Sequence, residues 1–245
     1  MAEEVKVYAE VPRRCLIAIA NARFDKGKLA IESAQGGRFK VPAIWLNQQV
    51  REERGYEDDV SRNGNWVKEG VLYRQTANNV FTKIGLPYLH PEEAVLAHLQ
   101  CREYTLEGCA QDEIDKAIAS GLEINPEDLD KNDDLVIPCS DFGSNKYGLF
   151  FFGGKGTDSE RSNRAKNSGQ WLINSPETIE KFVVRLDSKN YSKKIGRDYA
   201  YQMWFSSLGY RSELIGGRGW DRSLRCADRM LGVFDSAEGA SQNSA

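Results

Sequence analysis

Apolar residues along this chain fall in short runs, set apart by polar and glycine-rich stretches, and these runs predict strands more often than helices. The clearest is Cys15 to Ala22, CLIAIANA. Further strands are expected at Lys28 to Ile31, Phe39 to Leu46, Val67 to Arg74, Leu135 to Ile137, Tyr147 to Phe152 and Lys181 to Leu186, with a turn at Gly36 and Gly37. The polar stretch from Asn47 to Asn65 contains EERGYEDDVSRNGN and reads as a mobile surface loop. Gly153 to Gln170, rich in Gly, Ser and Asn, reads as a second, longer loop.

Four segments predict helices. Pro91 to Tyr104 opens on a proline followed by two glutamates, which suits the positive end of a helix. Gln111 to Ala119 is shorter and is stopped by Gly121. Arg197 to Leu208 is the third; Asp221 to Leu231 is the fourth, with Asp221 as N-cap and Gly232 after its end. Strands outnumber helices and their order is mixed, so the fold class is α+β. The expected organisation is one domain over residues 1–234, with an insertion at about 86–134 and a disordered tail at 235–245.

Composition changes this picture little. Apolar residues make up 40% of 245, enough for a real core. No run reaches the roughly 18 apolar residues of a membrane-crossing helix, and the charged start MAEEVKVYAEVPRR lacks the apolar stretch of a secretion signal. Five cysteines without disulfide spacing point to a reduced, cytoplasmic protein.

Charge changes it more. The net charge of −3 hides a split. Lys146 to Arg229 holds 16 Lys and Arg against 9 Asp and Glu, a net of +7, and the rest of the chain carries −10. Within the basic stretch, two segments set arginines beside glycines and aromatics, a composition that suits contact with phosphates. The first brings Lys155, Arg161, Arg164 and Lys166 together. Its glycines allow close backbone approach and its guanidinium forks suit phosphate. It does not match the G-x-x-x-x-G-K-[ST] pattern, so a nucleotide P-loop is rejected. The second is Gly216-Gly217-Arg218-Gly219-Trp220, ahead of Arg222 and Arg225. A helix starting there would aim its N–H groups at an anion, and Trp220 can stack on a base.

Other chemistry is less sharply marked. His90, His98, Cys101 and Cys109 fall within twenty residues and are ligand types that zinc prefers, with Cys139 as a substitute fourth ligand. A structural zinc is one reading. The other is that His98 and Cys101 line a buried helix face with Val95, since the spacing matches no common finger. Glu177, then KFVVRL, then Asp187 and Lys189 follow the order of a PD-(D/E)xK nuclease, in which carboxylates hold a divalent metal. Asp128, Asp130, Asn132 and Asp134 echo a calcium loop, but Asp133 stands at its glycine and Cys139 at its bidentate Glu.

The order of features resembles the RAMP superfamily, the RRM-like proteins that coat guide RNA in CRISPR complexes. The residues that carry the likeness are CLIAIANA, Val41–Ile44 (VPAI), Tyr147–Gly154 (YGLFFFGG), Ser175–Asp187 (SPETIEKFVVRLD) and Leu214–Gly219 (LIGGRG). The resemblance implies a ferredoxin/RRM-like mixed sheet core with an inserted, zinc-bearing segment, neighbouring protein subunits, and RNA contacts at Arg51, Arg54, Arg161, Arg164, Arg218 and Arg222. The leading expectation is therefore an RNA-binding subunit of a multi-subunit prokaryotic assembly. A metal-dependent nuclease using Glu177, Asp187 and Lys189, and a structural or viral assembly protein, are the alternatives.

Overall fold

The computed structural model describes residues 6–8, 15–22, 24–34, 38–76, 79–84, 104–105, 112, 115, 119, 121–132, 134–186, 199–208, 214–215, 217–218 and 228–235. These are the described residues. Twelve strands among them form one mixed sheet. In chain order they are β1 (Lys6–Tyr8), β2 (Cys15–Ala22), β3 (Asn65–Thr76), β4 (Asn79–Ile84), β5 (Tyr104–Thr105), β6 (Leu122–Ile124), β7 (Asp134–Pro138), β8 (Lys181–Arg185), β9 (Tyr199–Phe205), β10 (Leu214–Ile215), β11 (Gly217–Arg218) and β12 (Asp228–Asp235). The helices are α1 (Phe24–Ser33), α2 (Ile44–Arg54), α3 (Asp59–Arg62), α4 (Lys146–Phe152) and α5 (Asp158–Ile173). The α+β class and the mixed sheet expected above are both observed.

The spatial order is β1-β2-β12-β3-β9-β11-β8-β10, with β7 also on β8 and β4 between β3 and β6. Strands β2 and β12 pair antiparallel over eight positions, from Cys15↔Asp235 to Ala22↔Asp228. Strands β6 and β7, at the end of the stretch expected to be an insertion, belong to this sheet.

Two cores result. The larger lies between β3, β7, β8 and β9 and the helices α2, α4 and α5, and its centre is aromatic. The Phe142 and Phe152 rings stack at 4.2 Å, and Phe182 meets Phe152 edge-on at 5.0 Å. The smaller core joins Ile17 and Ile19 of β2 and Leu231 and Val233 of β12 to Val50 of α2 and Val60 of α3. Helix α5 is seated very closely: a Cβ added at Gly169 would lie 2.0 Å from the Cys139 carbonyl oxygen.

Several expected elements take another form, each for a local reason. Tyr147 to Phe152 is helix α4, because Asn145 caps it by accepting the N–H groups of Tyr147 and Gly148. A short, fully apolar run fits a buried helix as well as a strand. The loop expected at Gly153 to Gln170 is mostly helix α5. The strand expected at Lys28 to Ile31 lies in α1, where Lys28 and Glu32 pair at 2.8 Å one turn apart. The strand expected at Phe39 to Leu46 is reduced to a single bridge, Lys40↔Val233, before α2 begins at Ile44, and the loop expected at Asn47 to Asn65 holds the rest of α2 and all of α3. The helix expected at Arg197 to Leu208 is instead β9, and β12 takes Asp228 to Leu231 from the helix expected at Asp221 to Leu231. Tyr104 is in β5, so the Pro91 helix does not include it; residues 91–103 lie outside the described residues. Asp112, Asp115 and Ala119 are helical, as expected.

Candidate anion-binding face

The arginines expected to bind phosphate fall into very different surroundings. Arg51 is fully buried, with 0% exposure. Its Nη1 donates to the Ser206 carbonyl at 2.7 Å and its Nε to Asn47 Oδ1 at 3.2 Å. Its Nη2 reaches the Asn63 carbonyl and Asn65 Oδ1, each at 3.4 Å. The guanidinium carbon sits 4.0 Å from the centre of the Phe205 ring. Burial, with Arg229 nearby, pulls its pKa down to about 9. Arg51 therefore ties α2 to the end of β9 and the start of β3, and it cannot touch RNA. Arg54, one turn on, is held by Asp58 at 2.7 Å.

The Gly153–Gly156 loop supplies its own anion. Thr157 caps α5, and Glu160 three residues on closes a capping box. Glu160 Oε2 accepts from the Thr157 N–H at 2.7 Å and from its hydroxyl at 2.9 Å. Those bonds hold the Glu160 carboxyl below its usual range. Gly154 (φ 64°) and Gly156 (φ 126°) make the approach possible, and a Cβ at Gly156 would lie 2.7 Å from that same oxygen. The Thr157 N–H and hydroxyl at the start of α5 are thus engaged by the protein's own carboxylate. Arg164 donates to the Gly153 carbonyl and, at 3.0 Å, to the Lys155 carbonyl, with its guanidinium 5.6 Å from the Trp45 ring centre. Arg161 stands 3.7 Å from Asp158. Lys155 and Lys166 are exposed.

The other expected sites are placed as follows. His90, His98, Cys101 and Cys109 lie outside the described residues. Cys139 is buried, and desolvation, with Glu180 nearby, pushes its thiol up to about 12. Among the described residues, no cluster of three or more His, Cys, Asp or Glu is arranged to hold a metal. Of the nuclease set, Glu177 faces Arg62 at 3.6 Å; Asp187 and Lys189 lie outside the described residues. In the Asp128–Asp134 turn, Asp128 and Asp130 have partners within the protein. Asp130 accepts the N–H groups of Asn132 and Asp134, and Asp128 holds Lys146 at 2.9 Å and the Tyr147 hydroxyl at 2.6 Å. No helix among the described residues is long and apolar enough to cross a membrane.

The sheet register shows what the sequence could not. Position 218 pairs with Trp204 of β9 on one side and with Arg185 of β8 on the other. Arg185 pairs in turn with Asp134 of β7, and Trp204 with Trp66 of β3. One row of neighbours thus runs Asp134–Arg185–Arg218–Trp204–Trp66. Residues next in sequence to three of these, Leu135, Val184 and Phe205, belong to the helix-side core. Side chains alternate along a strand, so Asp134, Arg185 and Trp204 face the opposite side of the sheet. Trp204 and Trp66 meet edge-on at 5.2 Å, and Trp204 is 6% exposed. Arg185 is half-buried. Sequence reasoning found Arg218 from its glycines but missed Arg185, Trp204 and Asp134, because only strand pairing brings them together. Trp220, Arg222 and Arg225 lie outside the described residues.

No protein-family model matches this chain, and no curated protein sequence is similar to it. A solved structure is similar over 91% of this chain and 100% of its own, with a TM-score of 0.62 and 12% sequence identity. It comes from work on the accommodation of massive sequence variation in Nanoarchaeota by the C-type lectin fold. At that identity the likeness speaks of the fold alone: the chain is folded like a C-type lectin domain.

Proposed function

We propose that this chain is a binding module for single-stranded nucleic acid, RNA before DNA, and that residues 214–229 form its contact segment. The observation that carries this reading is the backbone register of position 218, which sets it between Arg185 of β8 and Trp204 of β9. The described residues of this segment are strands of the sheet. Strand β10 pairs with β8, β11 with β8 and β9, and β12 with β2. Arg218, Arg222 and Arg225 would meet phosphates, and Trp220 would stack on an unpaired base, a contact worth about 1–3 kcal/mol. The similar fold from Nanoarchaeota accommodates massive sequence variation. A framework that tolerates such change suits recognition more than fixed catalytic geometry.

From the family resemblance the proposal keeps the ligand class and not the setting. An RRM-like core, a zinc insertion and membership of a guide-RNA complex gain no support from the sheet order or from the C-type lectin likeness. The nuclease reading gains none either, since Glu177 faces Arg62.

Fluorescence anisotropy with a labelled oligouridine across a chloride series tests the proposal. Arg218→Ala and Arg222→Ala should each weaken binding and reduce the salt slope by about 0.7. No binding by the unaltered protein at low salt, or affinities unmoved in both variants, would overturn it. A regular oligomer free of nucleic acid would favour an assembly role instead.

A further inference from the structure

We infer that Asn63 is a modification site of this protein: its side-chain amide is lost through a cyclic imide with Gly64, and Asp59 sets how fast. Asn63–Gly64 is the one Asn-Gly step in the chain. Glycine carries no Cβ to hinder its own nitrogen, so that nitrogen can reach the amide carbon before it. Asn63 is exposed at the C-terminal end of α3, a helix of four residues. Helix ends fray, and one this short has little else to hold it wound. Among the described residues no backbone hydrogen bond holds the Gly64 N–H.

The reaction needs only water and hydroxide. The Gly64 nitrogen gives its proton to hydroxide and bonds to Asn63 Cγ; the Cγ–Nδ2 bond breaks and ammonia leaves with a proton from water. Water then opens the imide. Opening at Cγ leaves an aspartate, and opening at the main-chain carbonyl leaves an isoaspartate, whose chain runs through Cβ and Cγ. The fold restrains the first step. Asn63 Nδ2 donates to Asp59 Oδ1 at 2.7 Å and to the Asp59 carbonyl at 3.1 Å. The extended backbone at Asn63 (ψ 142°) must also turn before the ring can close. Either product disturbs the same corner. An aspartate sets a second carboxylate against Asp59, which holds Arg229 of β12. An isoaspartate lengthens the link from α3 to β3 by one carbon, where space is already filled: a Cβ at Gly64 would lie 2.3 Å from Trp204 Nε1. The Asn63 carbonyl, displaced in that product, is an acceptor of buried Arg51.

The test incubates the full chain in mildly alkaline buffer beside a synthetic peptide of residues 63–68, NGNWVK, with tryptic mass mapping at intervals. The protein should gain one mass unit first at Asn63, about tenfold more slowly than the peptide, the effect of one hydrogen bond to a charged group. Asp59→Ala should remove most of that difference. Arg229→Gln, which leaves Asp59 beside the amide, should not. The modified fraction should melt below the unmodified one. Asn63→Gln, whose longer side chain closes a ring less readily, should keep both its mass and its melting midpoint. No gain at Asn63 while the peptide converts fully, or an earlier gain at another asparagine, overturns the site. If Asp59→Ala converts no faster, or Arg229→Gln converts equally fast, the restraint assigned to Asp59 is overturned. A modified fraction that melts like the unmodified one overturns the link to the Arg51 corner.

Discussion

Arg51 and Arg185 belong to opposite faces of the same sheet and show two ways to handle a cation. On the helix side, Arg51 is sealed from water and donates to backbone and side-chain oxygens from residues 47, 63, 65 and 206. On the other side, Arg185 is half-buried beside a second arginine position. The first arrangement is complete within the protein. The second leaves its guanidinium partly open to solvent. A count of basic residues cannot separate these cases. What separates them is how many acceptors the fold brings within reach of each guanidinium.

The comparison breaks most visibly if Arg51 is removed. Arg51→Ala leaves a cavity and several unpaired acceptors, and should cost about 3–5 kcal/mol in urea denaturation. Arg185→Ala, by contrast, should shift stability by no more than about 0.5 kcal/mol. Equal losses in the two variants would erase the distinction between the faces.

Glu69 sharpens the helix side as a second buried charge. Both of its oxygens accept the Ile44 N–H, at 2.9 and 3.0 Å, at the start of α2. That position favours a negative charge, yet burial outweighs it and lifts the carboxyl to about 7. The folded protein therefore holds this proton more tightly than the unfolded chain does. The resulting stability is fully present below about pH 4.5 and is lost as pH rises through about 7, a span of about 3 kcal/mol. Glu69→Gln should flatten that part of the stability–pH curve. An unchanged curve in the variant would mean that the carboxyl is charged throughout.

The smallest effect belongs to Glu160, whose carboxylate occupies the start of α5. Glu160→Ala should lower the melting temperature modestly and free that helix end. If the variant gains phosphate affinity, the glycine-rich loop is an anion site that its own glutamate keeps closed. If it does not, the loop serves only to cap the helix.

Part of this was legible from residue order. CLIAIANA and KFVVRL are strands, as their apolar runs with β-branched Ile and Val suggest. The capping box of α5 is also spelled out, as Thr157-Asp158-Ser159-Glu160, yet it is easily missed. The buried face of that helix is Ala165, Ser168, Gly169 and Leu172, so an apolar pattern barely shows. Strand β9, YAYQMWF, reads as a helix until Trp204 and Phe205 are seen to serve opposite faces. The candidate site was legible only at Arg218. The bond from Arg51 to Ser206 spans 155 positions, and the pairing of Arg185 with Arg218 crosses two strands that share no local signal.

The union of β2 with β12 has a consequence for how the molecule is made. These strands lie about 200 residues apart, and their eight-position ladder is among the most distant contacts in the chain. A ribosome delivers β2 early and β12 late. Until the later strand emerges, the three residues of β1 are the one strand partner of Ile17 and Ile19 among the described residues. The apolar early strand must therefore wait, shielded by a chaperone or by transient neighbours, before the sheet can close over it.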